Sequence, residues 1–160
     1  EVGSSDIAYV QVEAVLAQCD LFLNEGAALQ EKTQKAQKSW AQKEQNLQAE
    51  AAQLQEKYQK GLITTNDAQA QQQSIEKRVA SYQSSAQKEA QALDEENYVF
   101  TNRAQDLLHR AVQEINGDKK YKLIINATAL IDADSTLNIT PAVLAKVNEL
   151  YAADKKAVKK

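Results

Sequence analysis

Few residues of this chain could take part in chemistry, and they are far apart. His109 is the only histidine and Cys19 the only cysteine. A metal site or an activated nucleophile needs several such groups converging. His109 stands beside Leu107 and Leu108 in a helical pattern with no second histidine or cysteine nearby, which reads as a solvated helix position. Cys19 cannot form an intramolecular disulfide and reads as a small buried hydrophobe. Asp132-Ala-Asp134-Ser-Thr136 begins like a calcium loop. Leu137, however, stands where the turn needs glycine, and Val143 falls where the bidentate glutamate belongs, so the segment reads as a turn. The four glycines are scattered at Gly3, Gly26, Gly61 and Gly117, which excludes a glycine-rich phosphate loop. Asp94-Glu95-Glu96 is a charge run of the kind that forms a solvated face. No cofactor, metal site or enzymatic activity is expected.

The elements that would have to position such groups are mostly helices. Over 160 residues, Gly, Pro and aromatic residues are scarce and Met is absent. Ala, Gln, Glu, Lys and Leu dominate residues 25–115, the composition of long exposed helices. The net charge of −3 comes from interspersed signs and gives no pull on nucleic acid. Lys155, Lys156, Lys159 and Lys160 form the only basic cluster, the pattern of a frayed end. No apolar run approaches the roughly 20 residues needed to cross a bilayer. No signal peptide is visible, and a chain starting at Glu1 rather than Met is expected to be a mature or trimmed form.

Asp6 to Val12 reads as a buried strand, and Glu13 to Leu23 as a short helix with Val15, Leu16, Cys19, Phe22 and Leu23 inward. Asn24-Glu25-Gly26 is expected to be a joint. A long helix follows, with a seam at Leu29, Thr33, Ala36, Trp40, Glu44, Leu47, Ala51, Leu54 and Tyr58. The spacing averages about 3.6, that of a nearly straight helix rather than a strict heptad. Gly61 predicts a left-handed stop, and Thr64 to Asp67 the cap of a returning helix. That helix carries Ile75, Val79, Tyr82, Ala86, Ala90, Leu93, Asn97, Phe100, Ala104, Leu108, Ala111 and Ile115 at the same period, ending near Asn116 and Gly117.

Each helix of this hairpin should extend roughly 60 to 75 Å. A seam diluted by Thr33, Glu44 and Asn97 predicts arms that bend or splay. Tyr121 to Ile125 reads as a second strand, Ala129 to Ile131 as a third, and Asp132 to Asn138 as a polar loop. Thr140 and Pro141 are expected to be the N-cap and first-turn proline of a last helix bearing Val143, Leu144, Val147 and Leu150.

The expected fold is mostly α with a small β body. Residues 1–24 and 103–160 form a β-rich oligomerisation body, and residues 25–102 a coiled-coil-like α-helical hairpin arm, its tip near 59–67. Roughly 80 residues outside the arm bury little surface, and a three-stranded sheet leaves open edges. Both predict oligomerisation through the sheet.

Ile7-Ala-Tyr-Val-Gln-Val, the Gln-rich hairpin, Tyr121-Lys-Leu-Ile-Ile-Asn-Ala, Leu130-Ile-Asp and Asn138-Ile-Thr-Pro-Ala-Val-Leu follow one another as in the Skp/OmpH family, which this chain resembles over nearly its whole length. The resemblance implies a homotrimer with the sheets joined into a central β-barrel hub and the hairpins hanging around a cavity. It implies an ATP-independent holdase chaperone of the periplasm whose partners are unfolded outer-membrane β-barrel proteins. On it, Ile7, Tyr9, Val10, Leu123, Ile124, Ile125, Leu130 and Ile131 are the oligomerisation residues of the body. Known members are markedly basic along the arms, whereas Glu25 to Asn102 here is close to charge-balanced, which weakens the charge basis for capturing acidic clients or for a lipopolysaccharide contact. Asn138 stands where an Asp is common in the family.

Holding a client without fixed shape calls for many weak apolar contacts. Trp40, Tyr58, Leu62, Ile63 and Tyr82 are the client-binding candidates. Trp40, Tyr58 and Tyr82 also fall on the seam and would equally pack helix on helix. Leu62 and Ile63 sit at the turn, where they either stay exposed for contact or form a hydrophobic clasp across it. The competing class is a structural coiled-coil spacer or surface scaffold protein, which would use the same helices but has no need of terminal strands.

Overall fold

The computed structural model describes residues 6–159; Gly3 and Lys160, noted above, lie outside them. The elements run β1 (Ile7–Val10), α1 (Val12–Gln18), a π-helical segment (Phe22–Gly26), α2 (Ala27–Gln59), α3 (Thr65–Ile115), β2 (Leu123–Asn126), two 3-10 turns (Ala127–Ala129 and Ser135–Leu137) and α4 (Thr140–Val158). The fold is mostly α with one small sheet, as the composition implies. It divides into two compact units, one made of the chain up to Ala28 with everything from Tyr98 onward, the other of Leu29–Asn97.

In the first unit β1 and β2 pair in parallel, Ile7 opposite Leu123 and Val10 opposite Asn126. Ala8 and Val10 point into the core and Ile7 and Tyr9 away from it, the two-residue alternation of a strand with one buried face. The helical core gathers on α4. Val143, Val147, Leu150 and Tyr151 recur at helical spacing and meet Val15, Cys19 and Leu21 of the first segment and Leu107 and Ala111 of α3. Thr140 ties this unit's ends together, its hydroxyl accepting from the Gln11 backbone N–H at 2.9 Å while Asn138 Oδ1 accepts from the Thr140 N–H at 3.0 Å. Thr140 is therefore the first residue of α4 and not its N-cap, a position held by Ile139; Pro141 lies in the first turn as expected.

Three local expectations are corrected. Strand one stops at Val10 because Val12 already opens α1. The helix breaks at Cys19, whose backbone is extended, and the Asp20 N–H freed there is taken by Asn148 Oδ1 at 2.8 Å. Asn24-Glu25-Gly26 is no joint but the end of the π-helical segment running directly into α2. α3 ends at Ile115, next to Asn116 and Gly117 as expected; the turn after it is set by Asn116, whose side chain exchanges two hydrogen bonds with the Tyr121 backbone, at 2.9 and 3.0 Å, and Lys119 takes a left-handed backbone.

The third strand does not form. Asn126 Oδ1 accepts from the Thr128 N–H and turns the chain into a 3-10 helix, after which Ile131 is fully exposed. The far side of β1 is met instead by Asn138, bridged to Tyr9, with the Ile139 N–H donating to the Tyr9 carbonyl at 3.0 Å.

In the second unit α2 and α3 are antiparallel, since Lys32 pairs with Glu96, Trp40 with Glu89 and Glu50 with Arg78. The seam follows the expected register. Ala36, Leu54, Ile75 and Leu93 are buried, and Leu29, Thr33, Leu47, Ala51, Val79, Ala86 and Ala90 half-buried. Glu44 and Asn97, the polar interruptions, are exposed. By residue count α2 is about 50 Å long and α3 about 77 Å, one short of the expected range and the other just beyond it.

Candidate functional site

The turn between α2 and α3 is built by a Schellman stop. Gly61 takes φ +68°, its N–H donates to the Tyr58 carbonyl at 3.1 Å, and the Leu62 N–H donates to the Lys57 carbonyl at 2.9 Å. Thr64 then caps α3, its hydroxyl accepting from the Asp67 N–H at 3.1 Å. In such a stop the residue after the glycine usually rests on an apolar side chain three or four positions inside the helix. Here those positions are Lys57 and Glu56. Leu62 has no apolar seat within its own turn and stays 69% exposed, while Ile63 is half-buried.

The five client candidates accordingly separate. Tyr58, one turn before the stop, is 49% exposed. Trp40 and Tyr82 are half-buried and spend their polar atoms on each other's helices. The Trp40 indole N–H donates to Glu89 Oε2 at 2.8 Å, and the Tyr82 hydroxyl donates to the Trp40 carbonyl at 3.1 Å. Both bonds run from one helix of the hairpin to the other.

Beside the seam near the turn runs an open groove of about 720 Å³ lined by Gln48, Ala51, Leu54, Gln55, Tyr58 and neighbouring small or amide residues. Along the hairpin, charged side chains cross the seam in pairs. Lys32 lies 2.7 Å from Glu96, and Arg78 grips both carboxylate oxygens of Glu50. The hydrogen bonds from Arg78 hold the Glu50 carboxyl below its ordinary range.

In the first unit the strand residues also divide. Val10 is buried; Tyr9, Ile124, Ile125 and Leu130 are half-buried; Ile7, Leu123 and Ile131 are exposed. β2 has no second strand neighbour among the described residues. A groove of about 650 Å³ flanks the sheet, lined by Val10, Val12, Leu108, Val112, Ile124 and Ile125 with Asp106 and His109 at its margin. His109 Nε2 lies 3.2 Å from the Gln113 amide, one turn along the same helix. Among the described residues no three His, Cys, Asp or Glu side chains gather as metal ligands, and no helix is long and apolar enough to cross a membrane.

Sequence reasoning missed two features. Tyr98 and Val99 are exposed apolar side chains of the first unit, Tyr98 at 70%, and they are joined there by Phe22 and Leu23, which were expected to face inward and do not. The signal for Tyr98 and Val99 was present, since both fall between the seam positions Asn97 and Phe100. The amide-lined groove was missed because glutamine carries no periodic hydrophobic signal, although α3 has an eight-residue stretch without charge, Ala68 to Ile75.

The family model described as outer membrane protein (OmpH-like) matches residues 6–147. Among solved structures, the chain is similar to a candidate outer membrane chaperone, OmpH-like, from Caulobacter crescentus CB15. The TM-score is 0.77 at 16% identity, over 94% of this chain and 88% of that one. No curated protein matches significantly.

Proposed function

The chain belongs to the OmpH-like family, and from that premise we propose that it is an ATP-independent holdase of the periplasm, binding unfolded outer-membrane proteins and keeping them from aggregating. The observation that carries this reading is Leu62. A large apolar side chain at a turn fixed by two backbone hydrogen bonds, lacking the apolar partner such turns usually provide, is surface available for contact. Tyr58 extends that surface by one helical turn. Contacts of this kind are weak singly and gain strength when several arms engage one client.

The assembly we infer is a homotrimer joined through the sheet. It is supported by the open edge of β2 and by exposed Ile7 and Leu123 at the start of the paired strands. The role is binding and not catalysis, and with arm charges crossing the seam in pairs we assign no lipopolysaccharide or nucleic-acid site. A spacer or scaffold would use the hairpin but leave a sheet built from both chain ends without purpose.

The test is to dilute a urea-denatured outer-membrane barrel protein into buffer with the full chain and no nucleotide, following light scattering and the mass of the complex. Suppressed scattering and a complex of three chains per client support the proposal. Undiminished aggregation with a folded monomer at micromolar concentration overturns it, and end-to-end filaments support the spacer.

A further inference from the structure

Unlike three other grooves among the described residues, the groove beside the turn has no carboxylate, lysine, arginine or histidine in its lining. The neighbouring groove includes Glu44 and Glu76, the one beside the sheet Asp106 and His109, and the one at the end of α4 Glu25, Arg103, Asp154 and Lys155. Here the more buried lining is Ala51, Leu54 and Ala68, with exposed Gln48, Gln55, Gln69 and Gln72 around them beside Tyr58 and Thr65. Its lining offers amides, a hydroxyl and a phenol but no charged partner, which suits an uncharged occupant.

The groove is open to solvent, so it does not enclose a compact small molecule as ligand pockets do. It suits something linear. Each glutamine offers an acceptor and a two-proton donor, the complement of a peptide group. Among the described residues the side chains of Gln48, Gln55 and Gln69 have no protein partner, and Gln72 gives only one N–H, to Glu76 at 3.3 Å. Gln48 and Gln55 are two turns apart on one face of α2, about 10.5 Å along the axis. That spans about three residues of extended chain at ~3.3 Å each.

We propose that this groove binds an extended, uncharged stretch of polypeptide through its main chain. The proposal deepens the holdase reading and rests on it for the source of the chain. A strand destined for a membrane barrel alternates apolar and polar side chains, so it can lay an apolar face on alanines while amides meet its backbone. Recognition of the backbone makes binding tolerant of sequence.

The experiment uses the full chain and an uncharged ten-residue peptide alternating Val and Thr, with a neutral fluorophore. A second peptide carries N-methyl groups on alternate residues. The variant Gln55→Ala/Gln69→Ala removes amides while raising helix propensity. We expect it to bind the plain peptide roughly tenfold more weakly than the parent chain. N-methylation should cost the parent a similar factor and the variant little more, since the bonds lost are the same ones. Gln55→Glu/Gln69→Glu should weaken binding further.

Failure of the parent to bind, or equal binding by parent and alanine variant, overturns the proposal. So does a variant that changes oligomeric state while peptide affinity holds, which would make the groove an interface between copies. Client aggregation assayed alongside separates the two readings. Suppression by the parent with peptide binding indifferent to the glutamines removes the groove and keeps the holdase. No suppression, with glutamine-dependent peptide binding, removes the holdase and keeps the groove.

Discussion

The ring of Phe100 fills the space that a side chain on Gly26 would need: a β-carbon built there would lie 2.9 Å from Phe100 Cζ and 3.0 Å from Phe22 Cδ2. The π-helical segment thus ends on a residue chosen for its missing side chain, with two aromatic rings closing over it. Gly26→Val should lower stability by about 2 kcal/mol, through overpacking. The check is urea unfolding of Gly26→Val, Phe100→Leu and the double variant. The two losses should not add, because shrinking the ring relieves the clash.

Leu62→Ser should leave the thermal midpoint within about 1 °C of the parent, since an exposed side chain contributes little to folding. It should raise the chaperone concentration needed to halve client aggregation by roughly fivefold, the loss of one apolar contact per arm. Light scattering of a diluted denatured porin measures it.

Tyr82→Phe should do the opposite. Losing the hydroxyl bond to the Trp40 carbonyl should cost about 1 kcal/mol of stability and leave aggregation suppression unchanged. Fluorescence of Trp40, the single tryptophan, reports the unfolding.

The seam that holds Tyr82 was legible in the sequence because one physical signal, an apolar or small residue every 3.6 positions, specifies it. The same holds for the turn at Gly61 and Thr64, where two residue types have few other uses. Legibility failed where a partner distant in sequence decides the outcome. Leu130 and Ile131 have strand-like side chains, but whether they pair depends on an edge, and Asn138 occupies that edge of β1. The break at Cys19 depends on an acceptor from Asn148. Of the client candidates, pattern alone could not tell Tyr58 from Tyr82, since both fall on the seam and only the end of the helix exposes the first.

Leu107 shows the same limit, lying just off the seam positions Ala104 and Leu108 yet buried among Val143, Val147 and Ala111. Leu107→Ala should cost about 2 to 5 kcal/mol, read by denaturant unfolding. Leu108→Ala, at a half-buried site, should cost less.

Acid should loosen the first unit. Hydrogen bonds from Arg103 and Arg110 hold the carboxyls of Glu25 and Asp154 below their ordinary values of 4.5 and 3.8. Groups with depressed values add stability above the ordinary range and lose it as pH falls through their lowered ones. With both pairs partly exposed, each contributes about 0.5 kcal/mol after solvent screening. Unfolding midpoints measured from pH 6 down to pH 3 should fall, and Arg103→Gln/Arg110→Gln should flatten the decline.

The parallel pairing of Ile7 with Leu123 sets a timetable for the chain as it emerges. The first strand appears early and finds its neighbour only after both long helices have been made. Those helices, linked by a tight local turn, need nothing from the far end of the sequence to meet. Closing so large a loop is slow relative to zipping a local hairpin, so Ile7 to Val10 passes its first moments as a bare, sticky segment, itself in need of protection.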